Sequence, residues 1–292
     1  MNRFQHSFDL WHQSLSLLQQ DKDLLLFPVM SFGTLILAAA VLLFPTARSL
    51  IISTSPAPQG INIQTWHIII LFLWYFVTYG IMYFFNAGLI GCALMGLDGK
   101  KPTVRDGLNI ARANLSRIAG WAAVAATVGL ILQALENIKV GGKGGEGGFA
   151  LGSILAGILG LSWTVLTYMV VPALIVEQIG PIEAIKRSGS LLKKTWGEQV
   201  IGAGGIGLVT FLLGLIGVLP ILTAVAIRGQ AAFVVGMTVA LLYWQALGAL
   251  SSALSGIYRA ALYRYSTTGQ APEGFSKEDL SQAFRSKSWG FI

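Results

Sequence analysis

Charge is what this chain has least of. Asp, Glu, Lys and Arg make up 11% of its 292 residues, against roughly 25% in ordinary soluble domains. With 54% hydrophobic residues, that scarcity excludes a soluble globular protein and indicates an integral membrane one. Cysteine is nearly absent too. Cys92 stands alone, which rules out an intrachain disulfide and any all-cysteine zinc or iron–sulfur cage. The three histidines, His6, His12 and His67, include no pair at helical i, i+4 spacing. Neither a metal site nor a cofactor is therefore expected. No GxSxG, HExxH or paired-carboxylate arrangement occurs, so an enzyme is not expected either.

What is present is a series of long apolar runs. Leu24 to Phe44 is about 21 residues, enough at 1.5 Å per residue to cross a ~30 Å hydrocarbon core. A cleaved secretory signal ending near Ala38–Ala40 fits poorly, because the preceding segment carries Asp9, Asp21 and Asp23 and such signals begin short and positive. Pro45, Pro56, Pro58 and Gly60 predict an exposed loop over 45–65. Trp66 to Leu97 then runs 32 residues without Asp, Glu, Lys or Arg. That exceeds the bilayer, so this helix tilts, projects or breaks near Asn86 to Gly91. Further spans are read at Ala119–Leu135, Phe149–Val176, Val200–Ile227 with an interruption at Pro220, and Ala231–Tyr265. GGKGGEGG at 141–148 lacks the GK[ST] ending of a phosphate-binding loop and reads as a flexible turn.

Amphipathic stretches flank these spans. GPIEAIKRSGSLLKKTWGE at 180–198 has Gly180 as N-cap, Pro181 at the first helical position and Glu183 in the first turn. Ile182, Ile185, Leu192 and Trp196 share one face. Lys186, Arg187, Lys193 and Lys194 share the other, with Glu183 spaced to pair with Arg187. Such a helix lies at the lipid boundary with its cations among anionic headgroups. Phe4, Phe8, Trp11, Leu15 and Leu18 predict a similar helix over 1–22. Val104, Leu108, Ala111, Leu115 and Ile118 predict another after Pro102, carrying Arg105 and Arg112.

The basic residues follow topology. Sixteen Lys and Arg fall on one side of the predicted spans and only Arg48, Lys139, Lys143 and Arg228 on the other. By the positive-inside rule both termini are cytoplasmic. The net charge of +7 is thereby explained without nucleic acid.

Each amphipathic helix precedes a pair of spans, which predicts a three-fold repeat of surface helix, span, span over about 1–97, 98–176 and 177–265. SLSLLQQ at 14–20 resembles SGSLLKK at 188–194, and DGKKP at 98–102 matches EQIGP at 177–181 in its acid and proline. One membrane domain thus covers 1–265, followed by a cytoplasmic tail at 266–292. Units of equal orientation relate about the membrane normal and are not the inverted repeats of many carriers.

Glycines mark helix seams. Gly202, Gly204 and Gly207 fit GxGxxG on paper, but that fingerprint needs a preceding strand, and here it opens an apolar run. Small residues there permit close helix packing. So do Gly88, Cys92 and Gly96, Gly152, Ala156 and Gly160, and Gly248, Ser252 and Gly256. Polar residues at membrane depth are candidates by default. They are Asn86, Gln133, Glu136 and Gln245. Asp98 and Glu177 end two spans, each before a proline, and are candidates for ion pairs that lock repeat units together.

Several segments carry a resemblance. DKDLLLFPVMS at 21–31, YFFNAGLIGCAL at 83–94, GWAAVAATVGL at 120–130, VPALIVEQIGPIEAIKRSGSLLKKTWGE at 171–198 and YRAALYRYSTTG at 258–269 resemble a bacterial integral membrane family, the domain of unknown function numbered 6159. The chain is more loosely similar to the membrane domain attached to some glycerophosphodiester phosphodiesterases. Their catalytic domain is missing here, so the resemblance implies fold and location without an activity.

The expectation is an all-α, polytopic protein of the bacterial inner membrane, with six transmembrane helices and cytoplasmic amphipathic helices. It organises lipid, or serves as scaffold or subunit of a membrane assembly, and its partners are anionic headgroups, copies of itself or a larger complex. The alternative is a transporter or channel for a small or amphipathic solute.

Overall fold

A computed structural model describes residues 3–52, 65–136, 151–195, 202–227, 229–272 and 275. The regular structure among them is helical throughout. In chain order the helices are α1 (Arg3–Gln20), a 3-10 turn (Lys22–Leu25), α2 (Leu26–Ile52), α3 (Thr65–Leu97), α4 (Val104–Ala113) and α5 (Leu115–Glu136). There follow α6 (Leu151–Leu166), α7 (Val170–Val176), α8 (Pro181–Thr195), α9 (Gly202–Ile216), α10 (Leu219–Ile227) and α11 (Gln230–Thr268). Six stretches are long and apolar enough to cross a membrane: Lys22–Val41, Ile69–Leu97, Leu115–Glu136, Gly152–Val176, Val209–Ile227 and Gln230–Thr268. The chain is a multi-pass membrane protein.

One boundary differs from expectation. The helix does not end at Pro45; α2 continues to Ile52. A proline inside a helix costs the hydrogen bond to residue i−4 and bends the axis without having to end it. The predicted 45–65 loop therefore loses its first eight residues to α2, and 53–64 lie outside the described residues. α3 runs unbroken through Asn86 to Gly91 for 33 residues, ~50 Å at 1.5 Å per residue, so the excess length projects or tilts. The 141–148 turn lies outside the described residues.

The chain divides into two compact units. One comprises 1–29, 86–110 and 190–292, the other 30–85 and 111–189. Each unit draws on all three predicted repeat segments.

In the first unit, α1 packs on α9 and α11, and α10 packs on α11. α3 and α4 also cross closely. A Cβ on Gly107 would meet Phe27 and would stand 2.7 Å from Cys92 Sγ and 2.8 Å from the Gly88 carbonyl oxygen. Only hydrogen fits there. Gly256 of α11 has no room either, its Cβ position being filled by Leu89. The other small residues of that predicted ridge do not pack: Gly248 has nothing near its Cβ position and Ser252 is exposed. The buried stripe of α11 is instead Ala253, Leu254, Ile257, Tyr258, Ala260, Ala261 and Leu262.

In the second unit α5 packs on α6 and α7. Its centre is aromatic. Tyr75, Tyr79 and Tyr83 stack along α3 at 5.8 and 5.9 Å, Tyr83 lies 5.6 Å from Trp121 of α5, and Trp121 stacks on Trp163 of α6 at 5.7 Å.

Candidate functional site

Two spans are interrupted, and the freed backbone groups locate the polar chemistry at membrane depth. α6 ends at Leu166 and α7 begins at Val170. Between them Tyr168 N–H turns back to Val165 and Val170 N–H to Thr167, each three residues away, and Pro172 has no donor to offer. Ser188 of α8 fills the gap. Its hydroxyl accepts from Met169 N–H at 3.1 Å and donates to the Leu166 carbonyl at 2.6 Å, fully buried. Gly189 beside it allows the approach, since a Cβ there would lie 3.1 Å from Leu166 Cδ1.

The second interruption separates α9 from α10 at Gly217–Val218. Gly217 and Val218 bond three residues back, to Gly214 and Leu215, and Pro220 again lacks a donor. α11 meets the displaced carbonyls. Tyr243 Oη donates to Leu213 O at 2.7 Å, and Trp244 Nε1 donates to Gly214 O at 3.0 Å. Irregular backbone at membrane depth is tolerated where such partners exist. Pro220 marked one of these sites in the sequence. Ser188, Tyr243 and Trp244 carried no motif.

α8 buries Ala184, Ser188, Leu191 and Leu192, an i, i+4, i+7, i+8 stripe, whereas Ile182 is 57% exposed and Ile185 half-buried. The buried face is thus rotated from the predicted one, because a polar serine sits at its centre. Trp196 lies outside the described residues. Lys186, Arg187 and Lys193 are exposed; Lys194 lies in α8, its side chain outside the described residues. Arg187 Nε reaches Glu177 Oε1 at 2.7 Å. The Glu183 partner expected for it turns to the Gly180 N–H instead, at 3.3 Å, the reach-back half of a capping box. Glu177 thereby pairs with the helix that follows it in sequence.

α4 begins with a complete capping box. Thr103 N–H donates to Asp106 Oδ2 at 2.9 Å and Asp106 N–H to Thr103 Oγ1 at 3.3 Å. The Thr103 hydroxyl, donating to Asp106 Oδ2 at 2.7 Å, and then the Thr103 N–H hold the Asp106 carboxyl below the usual carboxylate range. Arg105 and Arg112 are exposed on this helix, and its apolar stripe stops at Ala111, because the chain bends at buried Asn114 and leaves Leu115 54% exposed.

The intramembrane candidates do not converge. Gln133 accepts from Tyr75 Oη at 3.3 Å. Asn86 is half-buried, its Oδ1 3.9 Å from the Cβ position of Gly256. Gln245 and Glu136 are exposed.

α3 ends in a Schellman motif. Gly99 takes φ +74°, its N–H bonds Gly96 O at 3.0 Å, and Lys100 N–H bonds Met95 O at 3.1 Å. Asp98, at its C-cap, pairs with Arg264 of α11 at 2.5 Å, which links the second and third predicted repeat segments. This turn overhangs a cleft of about 370 Å³ in the first unit, lined by α1, the 3-10 turn, the end of α3 and α11. Asp21, Lys100 and Lys101 supply its charge.

No curated protein matches the chain, so the looser likeness to phosphodiesterase membrane domains is carried no further. A family model does match, over residues 65–275, which takes in the α3–α4 crossing, both interrupted spans, α8 and the whole of α11. The chain belongs to this family of unknown function, DUF6159.

Proposed function

We propose that this multi-pass protein is non-enzymatic and organises anionic lipid at the basic end of its spans, as a scaffold or as a subunit of a membrane assembly. The observation that carries the reading is α8. Ser188 anchors one face of this helix to an interrupted span, and Lys186 and Lys193 stand exposed on the opposite side. Arg105 and Arg112 are exposed in the same way on capped α4. A cation near an anionic leaflet contributes about 1 kcal/mol. The sixteen-to-four asymmetry of basic residues supports a cytoplasmic-membrane location with both termini cytoplasmic.

The test replaces Lys186, Lys193, Arg105 and Arg112 by Gln and measures retention of phosphatidylglycerol against phosphatidylcholine after extraction in lipid discs. Anionic enrichment should fall at least tenfold; unchanged enrichment overturns the reading.

A transporter or channel is the second reading, favoured by the two interrupted spans, since broken helices carry substrate sites in many carriers. Against it, the displaced carbonyls Leu166, Leu213 and Gly214 already accept from Ser188, Tyr243 and Trp244. Solute flux in reconstituted vesicles that falls on Tyr243→Phe would favour it.

A further inference from the structure

The cleft beneath the α3 turn combines opposite charges that make no use of each other. Asp21 stands at the N-cap position of the 3-10 turn, where an aspartate ordinarily accepts from the backbone, yet it makes no cap hydrogen bond. Its Oδ2 is aimed across the cleft at Gly96, 3.5 Å from the Cβ position there. Lys100, held by the Schellman turn, and Lys101 after it line the same cleft and are exposed. Asp98, two residues before Lys100, is occupied by Arg264. Among the described residues neither Asp21 nor the two lysines engage in an ion pair. The floor is apolar: Leu24, Ala93, Leu97 and Ile257 are all buried. The volume lies in the range of small-molecule sites.

We infer that this cleft receives a zwitterion bearing a primary ammonium a few bonds from a phosphate. The ammonium meets the Asp21 carboxylate, the phosphate meets Lys100 and Lys101, and the connecting methylenes lie over Leu97 and Ile257. Charge-assisted hydrogen bonds of this kind are the strong ones. An aminoethyl phospholipid at the membrane boundary presents that chemistry, and so does free phosphoethanolamine. The site is separate from the cations of α4 and α8, although a lipid as its source rests on the membrane-interface reading above.

The full chain in detergent, titrated with phosphatidylethanolamine, phosphatidylcholine and phosphatidylglycerol of matched acyl chains and read by native mass spectrometry, tests this. One phosphatidylethanolamine should be retained per chain in preference to the other two. Choline has no N–H for Asp21, and glycerol has no cation. Asp21→Asn should remove roughly tenfold of the preference over choline. Lys100→Gln with Lys101→Gln should weaken both zwitterionic lipids alike. Gly96→Ala, whose methyl would stand in ordinary contact with Asp21, should narrow the cleft and lower retention in a chain that still folds. Competition by soluble phosphoethanolamine at lipid-like concentration assigns the site to the free zwitterion; none assigns it to the lipid. Equal retention of the three lipids by the unsubstituted chain overturns the inference, as does an Asp21→Asn chain with its preference intact. Lys186→Gln with Lys193→Gln should cost anionic enrichment and leave the ethanolamine preference unchanged, which separates failure here from failure of the proposed function.

Discussion

The interruption at 167–169 and the interruption at 217–218 pose one problem and solve it with different chemistry. Each follows α-helical backbone that slips to three-residue hydrogen bonds ahead of a proline, Pro172 or Pro220. At the first, a single hydroxyl both accepts and donates, so one small side chain on a basic surface helix completes both strands of the gap. At the second, only carbonyls need partners, and two pure donations from Tyr243 and Trp244 of a neighbouring span meet them. The first arrangement ties a span to a charged helix outside it. The second ties two spans together and leaves Trp244 37% exposed, in the position where an indole can face lipid while its N–H is satisfied. A small buried polar residue therefore has no slack, whereas a large aromatic has a surface to retreat to.

That contrast can be pushed from both sides. The largest effect is expected next to the second interruption, at Gly236 of α11. Its Cβ would come within 2.5 Å of Pro220 O and 2.6 Å of Ala224 Cβ. Backbone cannot yield as a side-chain tip does, so Gly236→Ala should destabilise by about 3 kcal/mol, read as a lowered midpoint in detergent unfolding. Ser188→Ala should cost on the order of 2 kcal/mol, because both buried hydrogen bonds of the hydroxyl disappear together. Limited proteolysis near α8 should accelerate in the same variant. A wild-type midpoint would mean that α8 is held by its apolar stripe alone. Tyr243→Phe should cost least, about 1 kcal/mol, since the ring still packs and Trp244 still donates to the adjacent carbonyl. Equal losses for Ser188→Ala and Tyr243→Phe would erase the distinction drawn between the two sites.

The spans were legible because length and apolarity decide them: each of the six runs corresponds to a stretch capable of crossing a membrane. The amphipathic helices were legible for the same kind of reason. Caps at Gly180–Glu183 were visible as local patterns, since their partners are three residues apart. What sequence hid was long-range. Arg187 sits four residues after Glu183 yet reaches Glu177, because the capping N–H of Gly180 competes for the nearer carboxylate. Ser188 reads as one more polar position of a basic helix until the carbonyl it bonds, 22 residues away, is brought beside it. Pro45 misled because proline forbids one hydrogen bond, not the continuation of a helix under way. Gln245, conspicuous in an apolar run, is exposed, while neighbouring Tyr243 and Trp244 do the bonding.

The crossing of α3 and α4 has a practical corollary. Cys92 is 1% exposed, its thiol directed to the Thr103 carbonyl beneath the Gly88–Gly107 contact. Water-borne maleimides cannot reach a sulfur packed in that way, so the natural chain behaves toward them as a cysteine-free background. A cysteine introduced at 143 or at 186 would then be the reactive thiol of the molecule. Which of the two is labelled from outside intact cells would read the orientation of every span at once.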